Sequence, residues 1–341
     1  MKFAFALPAL FLLACALLLA ACSRQPTQAA GRKLIVIGVD GMDPVFLERH
    51  WDSLPNLNRL RQQGDFKRLA TTIPPQSPVA WSSVITGMDP GGHGIFDFVH
   101  RNLATRMPAS SMSEIIEPAH TVTIGPYVIP LSGGGVRNLR TGRAFWQLLS
   151  EEGVPTRVIR IPANFPPADC EAESLAGMGT PDLTGTNGTF SFFTDDPAET
   201  RQVVPGGKIS RAGVTNGRAM LRIEGPANSL RKDRATTSVD LTAHIDPALP
   251  AARFDLDDQQ FLLKEGEWSE WIRADFKLVP GLKSASGIFR VYLQQTHPHL
   301  AVYVSPVNVD PVDPALPIST PATYSRKLAS TLGLLDRKSV V

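Results

Sequence analysis

Residues 34–44 read Leu34-Ile35-Val36-Ile37-Gly38-Val39-Asp40-Gly41-Met42-Asp43-Pro44. Its first six residues are a continuous apolar run rich in β-branched side chains. A run without polar alternation predicts a strand buried on both faces, as in a parallel sheet. The run ends in a carboxylate, and open α/β sheets place their ligands at the carboxyl ends of strands. Gly41 allows a sharp turn behind it, and Pro44 suits the first turn of a helix. Asp40 can then be read as a metal- or phosphate-site carboxylate, or as a helix cap. Asp43, immediately before Pro44, is the better cap, which leaves Asp40 for other work.

Downstream, residues 70–98 read Ala-Thr-Thr-Ile-Pro-Pro-Gln-Ser-Pro-Val-Ala-Trp-Ser-Ser-Val-Ile-Thr-Gly-Met-Asp-Pro-Gly-Gly-His-Gly-Ile-Phe-Asp-Phe. Pro74 and Pro75 impose an extended approach. A short helix over Val79–Ile85 follows, with Ser77 expected at its N-cap, Pro78 at the first helical position and Thr86-Gly87 closing it. A hydroxyl at a helix N-terminus lies beside exposed N–H groups and the positive end of the helix dipole, which together favour an anion. A helix end alone cannot deprotonate a serine; a metal ion could supply the rest. The plainer reading is a serine that only caps its helix.

The combination Val-Asp-Gly … Pro-Pro-Gln-Ser-Pro-x-x-x-x-Ser-x-x-Thr-Gly-x-x-Pro-x-x-His-Gly-Ile resembles the alkaline phosphatase superfamily, specifically its type I phosphodiesterase/nucleotide pyrophosphatase branch. Nucleotide pyrophosphatases carry a nucleophilic Thr nine residues before a Thr-Gly pair. Ser77 stands nine before Thr86, so the resemblance assigns Ser77 as nucleophile and metal ligand. It assigns Asp40 as a ligand of one metal and His93 as structural. It implies two divalent metal ions, zinc foremost, and a small phosphate-ester substrate. Phe98, with Asp97 beside it, stands where that branch has an Asn that holds a phosphoryl oxygen, which points to a different subgroup. A sulfatase reading fails because Pro78 directly follows Ser77 and no Arg occurs in the next several positions.

The rest of the chain extends the α/β pattern. Helices are expected near Asn56–Gln63, Gly142–Glu152 and Ala322–Leu332, and a second parallel strand at Thr156–Ile161. The expected fold is a mostly parallel, doubly wound α/β sheet with an alkaline-phosphatase-like core. From residue 185 to 304 short β-type runs recur between turns, at Gly188–Phe193, Arg218–Ile223, Phe261–Leu263, Gly287–Leu293 and Leu300–Val304. They predict a β-rich insertion. Residues 33–184 are then the first part of the core and 305–341 a return to it. Looser likenesses to bacterial members lie in Gly142–Trp146, Pro162–Pro167 and Gly179–Asp182.

The family site also takes an Asp-x-x-x-His pair, an Asp-His dipeptide and a last His from its C-terminal half. Asp240 and His244 have the first spacing, but their β-branched surroundings read as a strand. There the two lie about 13 Å apart, too far to share an ion. His297 and His299 flank Pro298 in an expected solvated turn, and no Asp-His dipeptide occurs. These readings lead to the expectation of a C-terminally truncated frame with an incomplete site. Two alternatives remain beside the hydrolase: a phosphoethanolamine-type transferase of the same superfamily, and an inactive envelope lipoprotein with a binding role.

The 341 residues include 19% charged and 43% hydrophobic residues, ordinary globular composition that excludes a disordered or fibrous chain. A net charge of +2 excludes an electrostatic nucleic-acid binder. The N-terminus is distinctive: Lys2, then 19 apolar residues from Phe3 to Ala21, ending Leu19-Ala20-Ala21-Cys22. Residues 1–21 read as a secretory signal, and the ending resembles a bacterial lipobox that implies acylation of Cys22. Several acyl chains make a stable anchor. The polar, small residues of 22–32 suit a tether. Ser23 suggests, by the same resemblance, the outer membrane facing the periplasm. After processing, Cys170 has no cysteine partner within the chain. Cys22→Ser should move the protein from the membrane pellet to the soluble fraction of lysed cells. Retention of the variant in the membrane would identify a plain signal anchor instead.

Overall fold

The computed structural model describes residues 33–334. The signal segment, the tether and Cys22 lie outside the described residues, as do 335–341. Among the described residues no helix is long and apolar enough to cross a membrane.

The helices are α1 (Pro44–Arg49), α2 (Pro55–Gln63), α3 (Ser77–Thr86), α4 (Pro90–His93), α5 (Phe145–Glu151) and α6 (Tyr324–Leu332). Between α4 and α5 stand two hairpins: β1 (Val99–Arg101) with β2 (Pro108–Ser110), and β3 (Ser113–Ile124) with β4 (Tyr127–Asn138). The second, with two 12-residue strands, has no counterpart in the sequence expectations. Its side chains are mostly exposed, so no hydrophobic face marks it. Three consecutive glycines, Gly133–Gly135, take positive φ within β4.

A small core holds the N-terminal helices. Ile85 of α3 packs with Ala144, Trp146, Val158 and Ala172, all buried. Val158 lies on β5 (Arg157–Ile159), which pairs in parallel with β6 (Glu173–Leu175); β19 (Ser319–Thr320) joins β6 antiparallel. This is the site of the strand expected at Thr156–Ile161.

The expected doubly wound parallel sheet is not assembled among the described residues. Parallel pairing occurs at β5–β6 and at β7 (Phe190–Thr194) with β8 (Gly207–Arg211), and the other named pairs are antiparallel. Nor does Leu34–Val39 form the expected buried strand. It has no regular secondary structure and no ladder partner, and leaves Leu34 87% and Ile37 79% exposed. A parallel strand is buried only when neighbours flank it and helices cover its faces. Here one side chain, the Trp81 indole, covers Gly38.

Most of the large core belongs to the β-rich part. Strands β9 (Arg218–Ala227), β10 (Thr236–Ile245), β11 (Ala251–Leu256) and β12 (Gln259–Lys264) form a four-stranded antiparallel meander. A five-stranded sheet combines β7 and β8 with β13 (Glu267–Trp268), β16 (Val291–Gln295) and β17 (Ala301–Val304). A third joins β14 (Ile272–Val279), β15 (Lys283–Phe289) and β18 (Asn308–Val309). Alternate residues of β9 (Ala219, Leu221, Ile223) point into one core with Leu241, Phe254, Phe276, Phe289 and Val302, the period-2 pattern of a half-buried strand. The expected run Gly287–Leu293 is divided at Arg290, where the chain leaves one sheet for another. There Ser269 Oγ accepts the Val291 N–H at 2.8 Å and Ser269 O accepts Arg290 Nε–H at 2.7 Å.

Gly225 follows Ile223 on the inward face of β9. A Cβ there would stand 2.0 Å from Phe276 Cδ1, so the ring lies where a side chain would be. Gly225→Ala should therefore destabilise by about 1–3 kcal/mol through overpacking, measured by chemical denaturation. Combining it with Phe276→Leu should cost less than the two losses added, because the substituted atoms compete for one space.

Candidate active site

The turn after Leu34–Val39 is built as its residues dictate. Gly41 takes φ +68°, and Asp43 caps α1 by accepting the Val45 N–H at 2.8 Å. Asp40 is left exposed with both carboxylate oxygens engaged elsewhere. Oδ2 accepts the Ser77 Oγ–H at 3.0 Å, and Oδ1 accepts the Trp81 Nε1–H at 3.0 Å. The fold thus brings together the two sequence-assigned site residues, 37 positions apart. Trp81, to which the sequence reading assigned no role, is the third member.

Ser77 is half-buried and stands one position inside the helix rather than at its cap. Gln76 is the N-cap residue, Ser77 is N1 and Pro78 is N2. The hydroxyl is directed to Asp40 instead of to its own helix. This shift also revises the expected anion site. Pro78 has no N–H, and the N–H groups of Val79 and Ala80 both go to the Gln76 carbonyl, at 3.0 and 2.9 Å. The helix dipole still favours negative charge at this end, but the open donors there are reduced to the Ser77 N–H.

What fixes α3 is its buried side. Val79 and Ile85 are fully buried, and Gly87 ends the helix in the left-handed conformation with its N–H on Ser83 O at 2.8 Å. His93 then locks the following loop. It is fully buried, its Nδ1 accepts the Ile95 N–H at 3.1 Å, and its Nε2 lies 3.0 Å from Ser83 Oγ. An Nδ1 that accepts must be unprotonated, so the neutral ring carries its hydrogen on Nε2 and donates it to Ser83. Burial, and next the Arg140 guanidinium, hold its pKa below the ordinary value. Arg140 itself is pushed down to about 10 by burial and donates to Ala163 O at 2.7 Å. His93 thus ties helix to loop and touches neither Asp40 nor Ser77. Beyond it, the Asp97 carboxylate is turned back on the Phe98 N–H at 2.7 Å. A cavity of about 290 Å³ opens beside these residues, lined in part by Phe96, Asp97, Val99 and His100.

The other histidine candidates are held apart. Asp240 pairs with Arg222 at 3.2 Å, and His244 with Asp255 at 2.8 Å. Both residues lie on β10. His299 Nδ1 lies 3.4 Å from Asp195.

A hydroxyl and a carboxylate oxygen 3.0 Å apart can occupy neighbouring positions on one small octahedral cation, since metal–oxygen distances near 2.0–2.1 Å at about a right angle give that separation. Two donors do not complete a site, however. Among the described residues no group of three or more His, Cys, Asp and Glu is placed to hold a metal ion.

The Ser77 hydroxyl is thus held by the Asp40 carboxylate at the first turn of a helix. Residues 34–197 match the family model of type I phosphodiesterase / nucleotide pyrophosphatase. This segment, which contains Asp40, Ser77 and Trp81, belongs to that family and through it to the alkaline phosphatase superfamily. The family is one of phosphoric ester hydrolases, typically metal-dependent and acting on small phosphate esters. No curated protein and no solved structure matches the chain.

The His93 geometry carries a pH consequence. Its folded pKa is depressed, so the unfolded chain binds the proton more readily. The contribution to stability is complete above the unfolded value of about 6.5 and is lost as pH falls from there through the folded pKa. Denaturation midpoints should therefore fall below about pH 6.5, and His93→Gln should flatten that part of the curve.

Proposed function

We propose that this chain carries the nucleophile half of a metal-dependent phosphate-ester hydrolase, a phosphodiesterase or phosphomonoesterase, with Ser77 as nucleophile. The observation that carries the reading is the 3.0 Å hydrogen bond from Ser77 Oγ to Asp40, inside the segment matched to the family. Asp40 orients the hydroxyl and offers an oxygen toward which its hydrogen already points. Ser77 Oγ attacks phosphorus, the bond from phosphorus to the ester oxygen breaks, and an alcohol leaves. The phosphoserine is then cleaved by water, which restores the hydroxyl. Two divalent ions, most simply zinc, would supply charge neutralisation at phosphorus. Asp40 and Ser77 offer two donors toward them, and further ligands are needed from outside the described residues. A lipid anchor at Cys22 would hold the domain at the envelope, with the site open to small esters.

Residues 23–341 alone should turn over bis-p-nitrophenyl phosphate weakly or not at all with zinc present. The protein expressed from its genomic reading frame should hydrolyse it. Ser77→Ala should lower kcat by at least about a thousandfold, the scale expected when the attacking group is lost. Acid-quenched wild type should carry phosphate on Ser77, as shown by peptide mass spectrometry. Unchanged turnover in Ser77→Ala, or two zinc ions bound and full activity in residues 23–341, would overturn the reading.

A further inference from the structure

We infer that Trp81 is a positioning residue of this site, acting through Asp40, and that Gly38 is present to admit it. The inference rests on Ser77 being the reacting group, as proposed above. Ser77 and Trp81 stand four residues apart on α3, so they share one helix face. From that face each donates to a different oxygen of the same carboxylate, both at 3.0 Å. A carboxylate held by one bond can swing about its side-chain torsions. Held by two donors from one helix, it has a single orientation, and the oxygen facing Ser77 is fixed.

The constraint on the other side is steric. A Cβ at Gly38 would lie 2.3 Å from Trp81 Cη2 and 2.9 Å from Cζ3, distances no real side chain tolerates. The indole therefore lies on bare backbone two residues before Asp40. Gly38 is not at positive φ, so its conformation does not require glycine; the approach of the ring does. Among the described residues Leu34–Val39 has no ladder partner, and the Trp81 contact and the two hydrogen bonds to Asp40 hold its end.

The chain has five tryptophans, so a ¹⁵N-labelled sample should give five indole N–H resonances. The one missing in Trp81→Phe should move in Asp40→Ala. An unmoved resonance would show that the indole does not serve Asp40 and would overturn the inference without reference to catalysis. In the protein from its genomic reading frame, Trp81→Phe keeps the ring and removes the donor. It should lower kcat by about 10–100-fold with KM changed less than about twofold, the scale of a misplaced reacting group. Trp81→His, which restores a ring N–H, should recover part of that loss. Gly38→Ala should lower kcat similarly and add little to Trp81→Phe. A purely structural tryptophan would lower melting temperature in Trp81→Phe and Trp81→His alike and leave kcat in the folded fraction unchanged, which would also overturn the inference. If wild type shows no Ser77-dependent turnover, the hydrolase reading fails, and the resonance test still decides whether Trp81 holds Asp40.

Discussion

Among the described residues, the Asp40 carboxylate ties the end of the N-terminal run to the body of the protein by side-chain hydrogen bonds, through Ser77 and Trp81. Closing a loop of that length costs chain entropy that grows only slowly with length. Two hydrogen bonds to one carboxylate oppose it. The tie works only because α3 is itself immobile. Ile85 is locked into the core around Trp146, and Gly87 and His93 fix the helix end and the loop after it. Order passes from a buried tryptophan core to a helix, from the helix to a hydroxyl and an indole, and from these to the carboxylate.

The β-rich part is held by a different kind of constraint. Its alternating strands bury one contiguous apolar core, and the buried carboxylate of Asp310 is compensated. Asp310 is fully buried, with Arg273 at 2.6–2.7 Å, Ser286 Oγ at 2.9 Å and the Val312 N–H at 2.8 Å on its oxygens. A buried carboxylate survives only when so compensated. This network joins β14 and β15 to the chain returning after β18. The long β3–β4 hairpin meets the same part through backbone bonds, Val128 N–H to Leu230 O at 2.8 Å and Lys232 N–H to Pro126 O at 3.0 Å. By contrast, exposed pairs such as Arg157–Glu173 and Lys208–Glu224 contribute little each.

Local chemistry was legible in the sequence, and long-range pairing much less so. Asp43 as cap, the Gly87 stop, the short helix after Ser77 and the alternation of β9 all follow from neighbours within a few residues. The Asp40–Ser77 juxtaposition was readable only through a family motif, since nothing local links positions 37 residues apart. The register at Ser77 slipped by one because a Ser-Pro pair serves equally as N-cap with N1 or as N1 with N2, and Asp40 decides between them from outside the helix. Trp81 passed unremarked because an aromatic residue in an amphipathic turn reads as core; what distinguishes it is a glycine 43 positions earlier. Leu34–Val39 shows the opposite failure. Its composition states that it can be buried in a sheet, but burial depends on neighbours that composition does not name.

Phosphoryl transfer requires two separable things, an aligned nucleophile and compensation of the charge on phosphorus. Alignment is a local matter, and in the reading proposed above α3, Asp40 and Trp81 would accomplish it together. Compensation is not met by the same elements. The helix end offers one open N–H, because Pro78 has none and Val79 and Ala80 are committed to Gln76. Arg140, the buried cation whose charge acts on His93, is turned to Ala163 O. The chain as a whole carries a net charge of only +2. On the hydrolase reading proposed above, a bound cation would supply the rest of the charge compensation. The Asp40–Ser77 oxygen pair, 3.0 Å apart on an exposed edge, is spaced to meet one. On that reading, the metal dependence typical of the family and the few open donors at this helix end would express the same constraint.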